Sequence, residues 1–196
     1  GRAKYAGNCR PEPGAWDMQS RFMVNHNGTA VKTQDVDLAN ISASGLQVVH
    51  VSGTREQELT QAEIDAIVNF ARAGGTVIVE TVGGMGNFAR GVEHQLADAF
   101  KRNAVELASS EPLLNGKGID GAFDNSRVGY RRHAIVSMAV KSRPRLAAFY
   151  EGEKPAVIIS NEDLSLGMLG VEHWGILGYS PESSRQIMTN IAMRAK

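Results

Sequence analysis

With 196 residues, 42% of them hydrophobic and 21% charged, the chain is long enough to bury a core and too apolar to remain disordered. Lys plus Arg number 21 and so do Asp plus Glu, and this neutrality excludes bulk electrostatic attraction to nucleic acid or an anionic membrane as the main business. A single cysteine excludes a disulfide framework and a cysteine-rich zinc site, and no apolar run approaches the roughly 20 residues that span a bilayer. Neither a nucleic-acid partner nor membrane insertion by this chain is expected. The start at Gly1 without Met reads as an excised part of a larger protein, with residues 1–196 forming one domain.

In chain order, Ala3 to Tyr5 is expected as a shortened first strand. Pro13 suits the first turn of a helix running through Trp16, Gln19, Phe22 and Met23. Thr29 to Thr33 reads as a short strand. Leu46 to Val51, closed by Ser52-Gly53, is a run rich in β-branched residues and predicts a buried strand. Thr60-Gln-Ala-Glu63 forms a capping box, apolar Ile64, Ile67, Val68 and Ala71 follow at helical spacing, and Gly74-Gly75 ends that helix. Thr76 to Glu80 is a second strand. The glycine-rich loop Thr81 to Asn87 leads into a helix carrying Phe88, Val92, Leu96 and Phe100. This β-α-β-α order is the signature of parallel strands joined by crossover helices. Ala104 to Leu107 returns to the sheet, and Glu111 to Arg127 reads as loop. Arg145 to Tyr150 and Ala156 to Ser160 flank Glu151-Gly-Glu-Lys154 as a hairpin. Ser180-Pro181-Glu182 opens the last helix, with Met188, Ile191 and Ala192 on one face. The fold predicted is an open, mostly parallel α/β sheet with an antiparallel hairpin.

The stretch Gly53 to Gly84, with its Leu-Thr-x-x-Glu helix start and Gly-Gly-Thr-Val-Ile-Val-Glu strand, resembles the class I glutamine amidotransferase-like fold, which includes trehalose-utilisation-type proteins. More closely, the chain resembles the bacterial domain of unknown function 4159. That likeness is carried by Tyr5-Ala-Gly-Asn-Cys-Arg-Pro-Glu-Pro-Gly-Ala-Trp16, by Leu59 to Glu80 and by Arg145 to Asn190. The last stretch contains Ile159-Ser-Asn-Glu-Asp-Leu164 and Gly175-Ile-Leu-Gly-Tyr179. The resemblance implies a three-layer, flavodoxin-like fold, and a place at the end of larger proteins of the bacterial envelope or periplasm. No cofactor is expected. Amidotransferases carry a nucleophilic cysteine on the turn after the strand that here ends near Glu80. The residues at that turn are Glu80, Thr81 and Val82, and the one thiol, Cys9, lies in the N-terminal loop. No glutaminase activity is therefore expected.

Ligands of open α/β sheets sit beyond the carboxyl ends of the strands. This directs attention to Gly53, to the loop with Thr81, Gly83, Gly84 and Gly86, and to Asn161 and the residues after it. The glycine loop has two readings: amides that face an anion, or tight-turn geometry. Glu80 and Asp163 both end predicted strands; as a pair they suit acid–base chemistry or a hard cation, and singly they suit helix caps or loop amides. His173, beside Trp174 in a glycine-flanked loop, completes the catalytic candidates. No H-x-H or H-E-x-x-H motif marks a metal site. His50 inside its strand reads as a bonded core residue. Arg127, Arg131, Arg132 and His133 around Tyr130 read either as an anion clamp or, in preference, as a solvated, charge-guarded edge.

The leading expectation is a non-catalytic module that binds a small polar ligand or other domains of its parent protein. The alternative is a hydrolase acting on a small polar or sugar-like substrate through Glu80, Asp163 and His173. A third possibility is an assembly role for an edge strand or the last helix.

Overall fold

A computed structural model describes residues 1–195. The strands are β1 (Arg2–Lys4), β2 (Asp35–Asp37), β3 (Val48–Gly53), β4 (Thr76–Thr81), β5 (Val105–Glu106), β6 (Leu146–Glu151) and β7 (Lys154–Ser160). The helices are α1 (Ala15–Asn27), α2 (Gln61–Arg72), α3 (Phe88–Phe100), α4 (Pro112–Asn115), α5 (Arg132–Met138), α6 (Ser165–Leu169) and α7 (Pro181–Arg194), with a 3₁₀ turn over Leu38–Ala43. The seven strands form one sheet in the order β2-β1-β3-β4-β7-β6-β5. The five strands from β2 to β7 run parallel, and β6 is antiparallel to both β7 and β5. The chain is thus mixed α/β, with a mostly parallel sheet and an antiparallel hairpin.

Strand alternation divides the core into two layers. Val49, Val51, Val77, Val79, Val157 and Ile159 face α2 and α3, where Ile64, Ile67, Phe88, Val92 and Leu96 cover them. Ile78, Ala148 and Ile158 face the other way, onto Trp16 of α1, Met168 of α6 and Ile187, Met188 and Ile191 of α7. Continuously apolar central strands follow from burial on both faces. The capping box of α2 forms as the sequence requires: Thr60 accepts from the Glu63 N–H, and the Glu63 carboxylate accepts from the Thr60 N–H at 2.8 Å.

Three expectations need correction. Thr29 to Thr33 is not a strand. Ser20 of α1 takes both the N–H and the carbonyl of Val31, and the strand forms later, at Asp35–Asp37, where Asp35 pairs with Arg2 across the ladder. The Glu111 to Arg127 segment is not wholly loop, because Pro112 starts the single turn α4 and Gly116 ends it. The region around Tyr130 is not a solvated edge: Arg131 is buried, and the residues after it form α5.

Ile78 lies at the centre of β4 and is fully buried. The Ile78→Ala variant is expected to lose about 2–5 kcal/mol of unfolding free energy in urea titration, because the two-sided packing cannot collapse into the space left.

Candidate functional site

The chain direction reverses across the sheet between β1 and β3, since β1 leads outward to β2 while β3 leads the opposite way to β4. The connecting helices α1 and α2 lie on opposite faces. Such a switch point opens a crevice at the carboxyl ends of the strands. Here the N-terminal loop enters it. Tyr5 donates its hydroxyl to the Ser52 carbonyl at 2.8 Å, Asn8 donates to Thr54 Oγ1 at 3.0 Å, and Ser52 donates to the Cys9 carbonyl at 3.3 Å. Cys9 therefore stands at this rim, but both ring nitrogens of the nearby His50 are occupied by other residues.

Those other residues are Trp16 and Glu80. His50 of β3 and Glu80 of β4 project from the same face, two ladder steps apart, because His50 is opposite Ile78 in a parallel register. Trp16 Nε1 donates to His50 Nδ1 at 3.1 Å, and His50 Nε2 lies 2.8 Å from Glu80 Oε2. An indole N–H only donates, so Nδ1 must accept and the imidazole proton sits on Nε2, aimed at the carboxylate. Ser165 completes the group: its hydroxyl donates to Glu80 Oε2 at 2.8 Å, while the amides of Leu164 and Ser165 donate to Oε1 at 2.7 Å each. Burial raises the Glu80 pKa, but the hydrogen bond from His50 together with the Ser165 and Leu164 amides outweighs it, and the net direction is down. Glu80 is a buried carboxylate with four donors.

Asp163 follows β7 and is buried beside it. Its Oδ2 accepts from the Gly83 N–H at 2.8 Å, and its Oδ1 from the amides of Leu166 and Gly167 at 3.1 and 3.3 Å. Burial and the Glu80 charge push its pKa up to about 7 against the pull of the Gly83 amide and Arg131. Glu12 also senses this charge: burial first, then Glu80, raises its pKa, while His173 lowers it.

The structure thus brings Glu80 and Asp163 together but leaves His173 exposed. The glycines serve neighbouring backbone. A Cβ at Gly84, where φ is +72°, would stand 1.8 Å from the Leu177 carbonyl oxygen, and one at Gly86 would stand 1.5 Å from that of Thr54. Gly53 lies under the stacked Tyr5 and Phe88 rings, both of which a Cβ would strike. The Gly83 amide is given to Asp163, and Thr81 Oγ1 accepts from the Ala89 N–H at 2.8 Å, capping α3. Asn161 is half-buried at the end of β7. Around this closed network the rim exposes Trp174 (70%) and Met85 (67%).

Arg131 is a group whose importance the sequence reading underestimated. It is 2% exposed, and its Nη1 donates to the Val171 carbonyl at 2.8 Å. Its burial depends on two distant loops meeting, through the Arg131 N–H to Gly178 carbonyl bond of 2.9 Å, and no local pattern announces that. No local pattern joins Trp16, His50 and Ser165 to Glu80 either; the shared strand face of His50 and Glu80 is the signal the sequence carries. Among the described residues no group of three or more His, Cys, Asp or Glu is disposed to hold a metal ion, and no helix is long and apolar enough to cross a membrane. A separate groove, lined in part by Met23, Val31, Leu46 and Val48, lies at the opposite end of the sheet, and Trp16 is the one member of the Glu80 network that also lines it.

The chain belongs to the family described as a domain of unknown function, DUF4159, whose model matches residues 16–195. No curated protein matches it.

The relay makes a specific prediction. In Glu80→Gln the new amide faces the His50 Nε2–H, and the imidazole cannot move its proton to Nδ1 without confronting the Trp16 N–H. This variant is expected to lose about 3 kcal/mol, and to lose less in a Trp16→Phe background, where the tautomer is free to change. Denaturant unfolding of the four proteins of this cycle checks it; equal costs in both backgrounds would refute the relay.

The two carboxylates also set opposite pH dependences. Asp163 is raised from 3.8 to about 7, so its contribution is complete below the unfolded value and is lost as pH rises through about 7. Glu80 is lowered, so its contribution is present above 4.5 and is lost as pH falls through its folded value. The wild type is expected to lose more stability between about pH 5 and pH 8 than Asp163→Asn does, measured by urea unfolding at each pH.

Proposed function

We propose that this domain is a non-catalytic ligand-binding module, built on a flavodoxin-like scaffold of the class I glutamine amidotransferase-like type that lacks the nucleophilic thiol. The scaffold reading rests on the parallel order β2-β1-β3-β4-β7 with helices on both faces and on the loop-bearing carboxyl rim. The function rests on one observation. Both oxygens of Glu80, one of the three residues at the turn where amidotransferases carry their nucleophile, are filled by two amides, a hydroxyl and an imidazole. A carboxylate so occupied, and lowered in pKa, is a poor proton acceptor for a substrate. It acts instead as the tie that holds the rim in shape.

The ligand site in this reading is the rim above Thr81 to Gly86, bordered by Asn161 and the 170–177 segment. The hydrolase alternative would require His173 to approach Glu80 and Asp163. The exposed imidazole and the committed oxygens of both carboxylates weigh against it. Other domains of a parent protein in the bacterial envelope remain partners in this proposal through the exposed Trp174 and Met85.

The purified domain is expected to release no ammonia from glutamine and to turn over no amide, ester or glycoside. A panel of polar small molecules is expected to yield a ligand whose amide chemical-shift changes centre on residues 81–86 and 161–177. Turnover that disappears in Cys9→Ala or Glu80→Gln would overturn this reading, as would a ligand mapping to the far end of the sheet.

A further inference from the structure

Arg131 lies outside the Glu80 relay, and the binding reading so far makes no use of it. Its guanidinium is held at one end only. Nη1 donates to the Val171 carbonyl at 2.8 Å and stands 3.6 Å from Oε2 of the exposed Glu172. Nε and Nη2 are buried, and neither has a hydrogen-bond partner among the described residues. These two nitrogens form one edge of the planar group. Their N–H bonds point the same way and match two oxygens of a carboxylate or phosphoryl group. A guanidinium is a permanent cation, and a buried polar group left unmatched calls for an explanation. The neighbouring buried carboxylate does not supply the match. Asp163 feels the Arg131 charge, but its own oxygens accept from Gly83, Leu166 and Gly167.

The segment that holds the other end of the guanidinium, at Nη1, is itself lightly held. Val171, Glu172, His173 and Trp174 are all exposed, and they lie between Gly170, fixed by its N–H to the Gly167 carbonyl, and Leu177, fixed to the Gly83 carbonyl. Between those anchors the strap is held by the Val171 carbonyl on Arg131 and by an edge contact of Trp174 with His133 at 4.9 Å. Glu172 places a negative charge beside the guanidinium in this closed arrangement.

We propose that Arg131 is the anion-recognising residue of this domain: its Nε–Nη2 edge takes two oxygens of a carboxylate or phosphoryl oxyanion that enters when the Val171–Trp174 strap lifts. The proposal rests on the ligand-binding reading and gives that ligand its chemical class. Glu172 competes with the incoming anion, so removing its charge favours binding, while a lysine at position 131 keeps the charge and loses the fork.

The test is calorimetric titration of the full chain with sodium phosphate and with sodium succinate, each against sodium chloride of equal ionic strength. The wild type is expected to bind at least one of the two, and which one distinguishes phosphoryl from carboxylate recognition. Glu172→Gln is expected to bind it several-fold more tightly, and Arg131→Lys about tenfold more weakly. If Arg131→Lys does not fold by circular dichroism, Glu172→Gln decides: affinity no higher than wild type overturns the proposal. Neither anion exceeding chloride in wild type and Glu172→Gln also overturns it, as does equal binding to folded Arg131→Lys. A neutral polar ligand bound equally by wild type and Arg131→Lys would remove Arg131 from the site while leaving the ligand-binding reading intact; failure of every ligand in the panel would remove that reading as well.

Discussion

The Glu80 carboxylate ties together parts of the chain that are far apart in sequence. It lies one residue from the end of β4, accepts from His50 on β3, and through His50 is linked to Trp16 on α1; its other oxygen holds the first turn of α6. Taking a carboxylate out of water costs several kcal/mol even after the surroundings relax, on the order of what one broken buried pair costs. Four hydrogen bonds to a charged acceptor, each contributing about 1.5–3 kcal/mol, offset that cost. Losing donors therefore erodes the balance, which couples the layer containing α1 and α6 to the sheet.

The same rim carries a second buried carboxylate, and the two are not equivalent. Glu80 has a hydroxyl and an imidazole as well as amides, whereas Asp163 has amides alone. The negative charge settles on the group with more hydrogen-bond donors, and its presence raises its neighbour. Arg131 contributes a positive charge to Asp163 at a distance, without bonding to either carboxylate. The rim is thus a compact charge system whose cation keeps part of its bonding capacity in reserve.

Much of the scaffold was legible from local pattern. Thr60 and Glu63 specify a helix start by their spacing, Gly74-Gly75 its end, and the apolar runs from Leu46 and Thr76 the two buried strands. The Gly152 turn between two apolar segments specifies the β6–β7 hairpin. What failed was decided by tertiary partners. Thr29 to Thr33 has strand-like composition, yet Ser20 claims the Val31 backbone. The basic run at Arg127 to His133 looks like a guarded edge, yet the Gly178 carbonyl draws Arg131 inward and a helix begins behind it. At the rim the presence of Glu80 and Asp163 was readable, because each lies at or just beyond the carboxyl end of an apolar run. Their partners were not, because His50 looks like any core histidine until its strand is laid beside β4, and Ser165 carries no motif.

The outermost strands of the sheet have a consequence for behaviour at high concentration. β2 contributes three residues and ends in charged Asp35 and Asp37, while β5 contributes two, with Glu106 joined to Arg143. A strand from another molecule would find too few free backbone groups on either side to nucleate a continued ladder, and it would meet charge as it approached. Despite a centre built almost wholly of Val and Ile, the folded domain is shielded from fibril growth by strand addition.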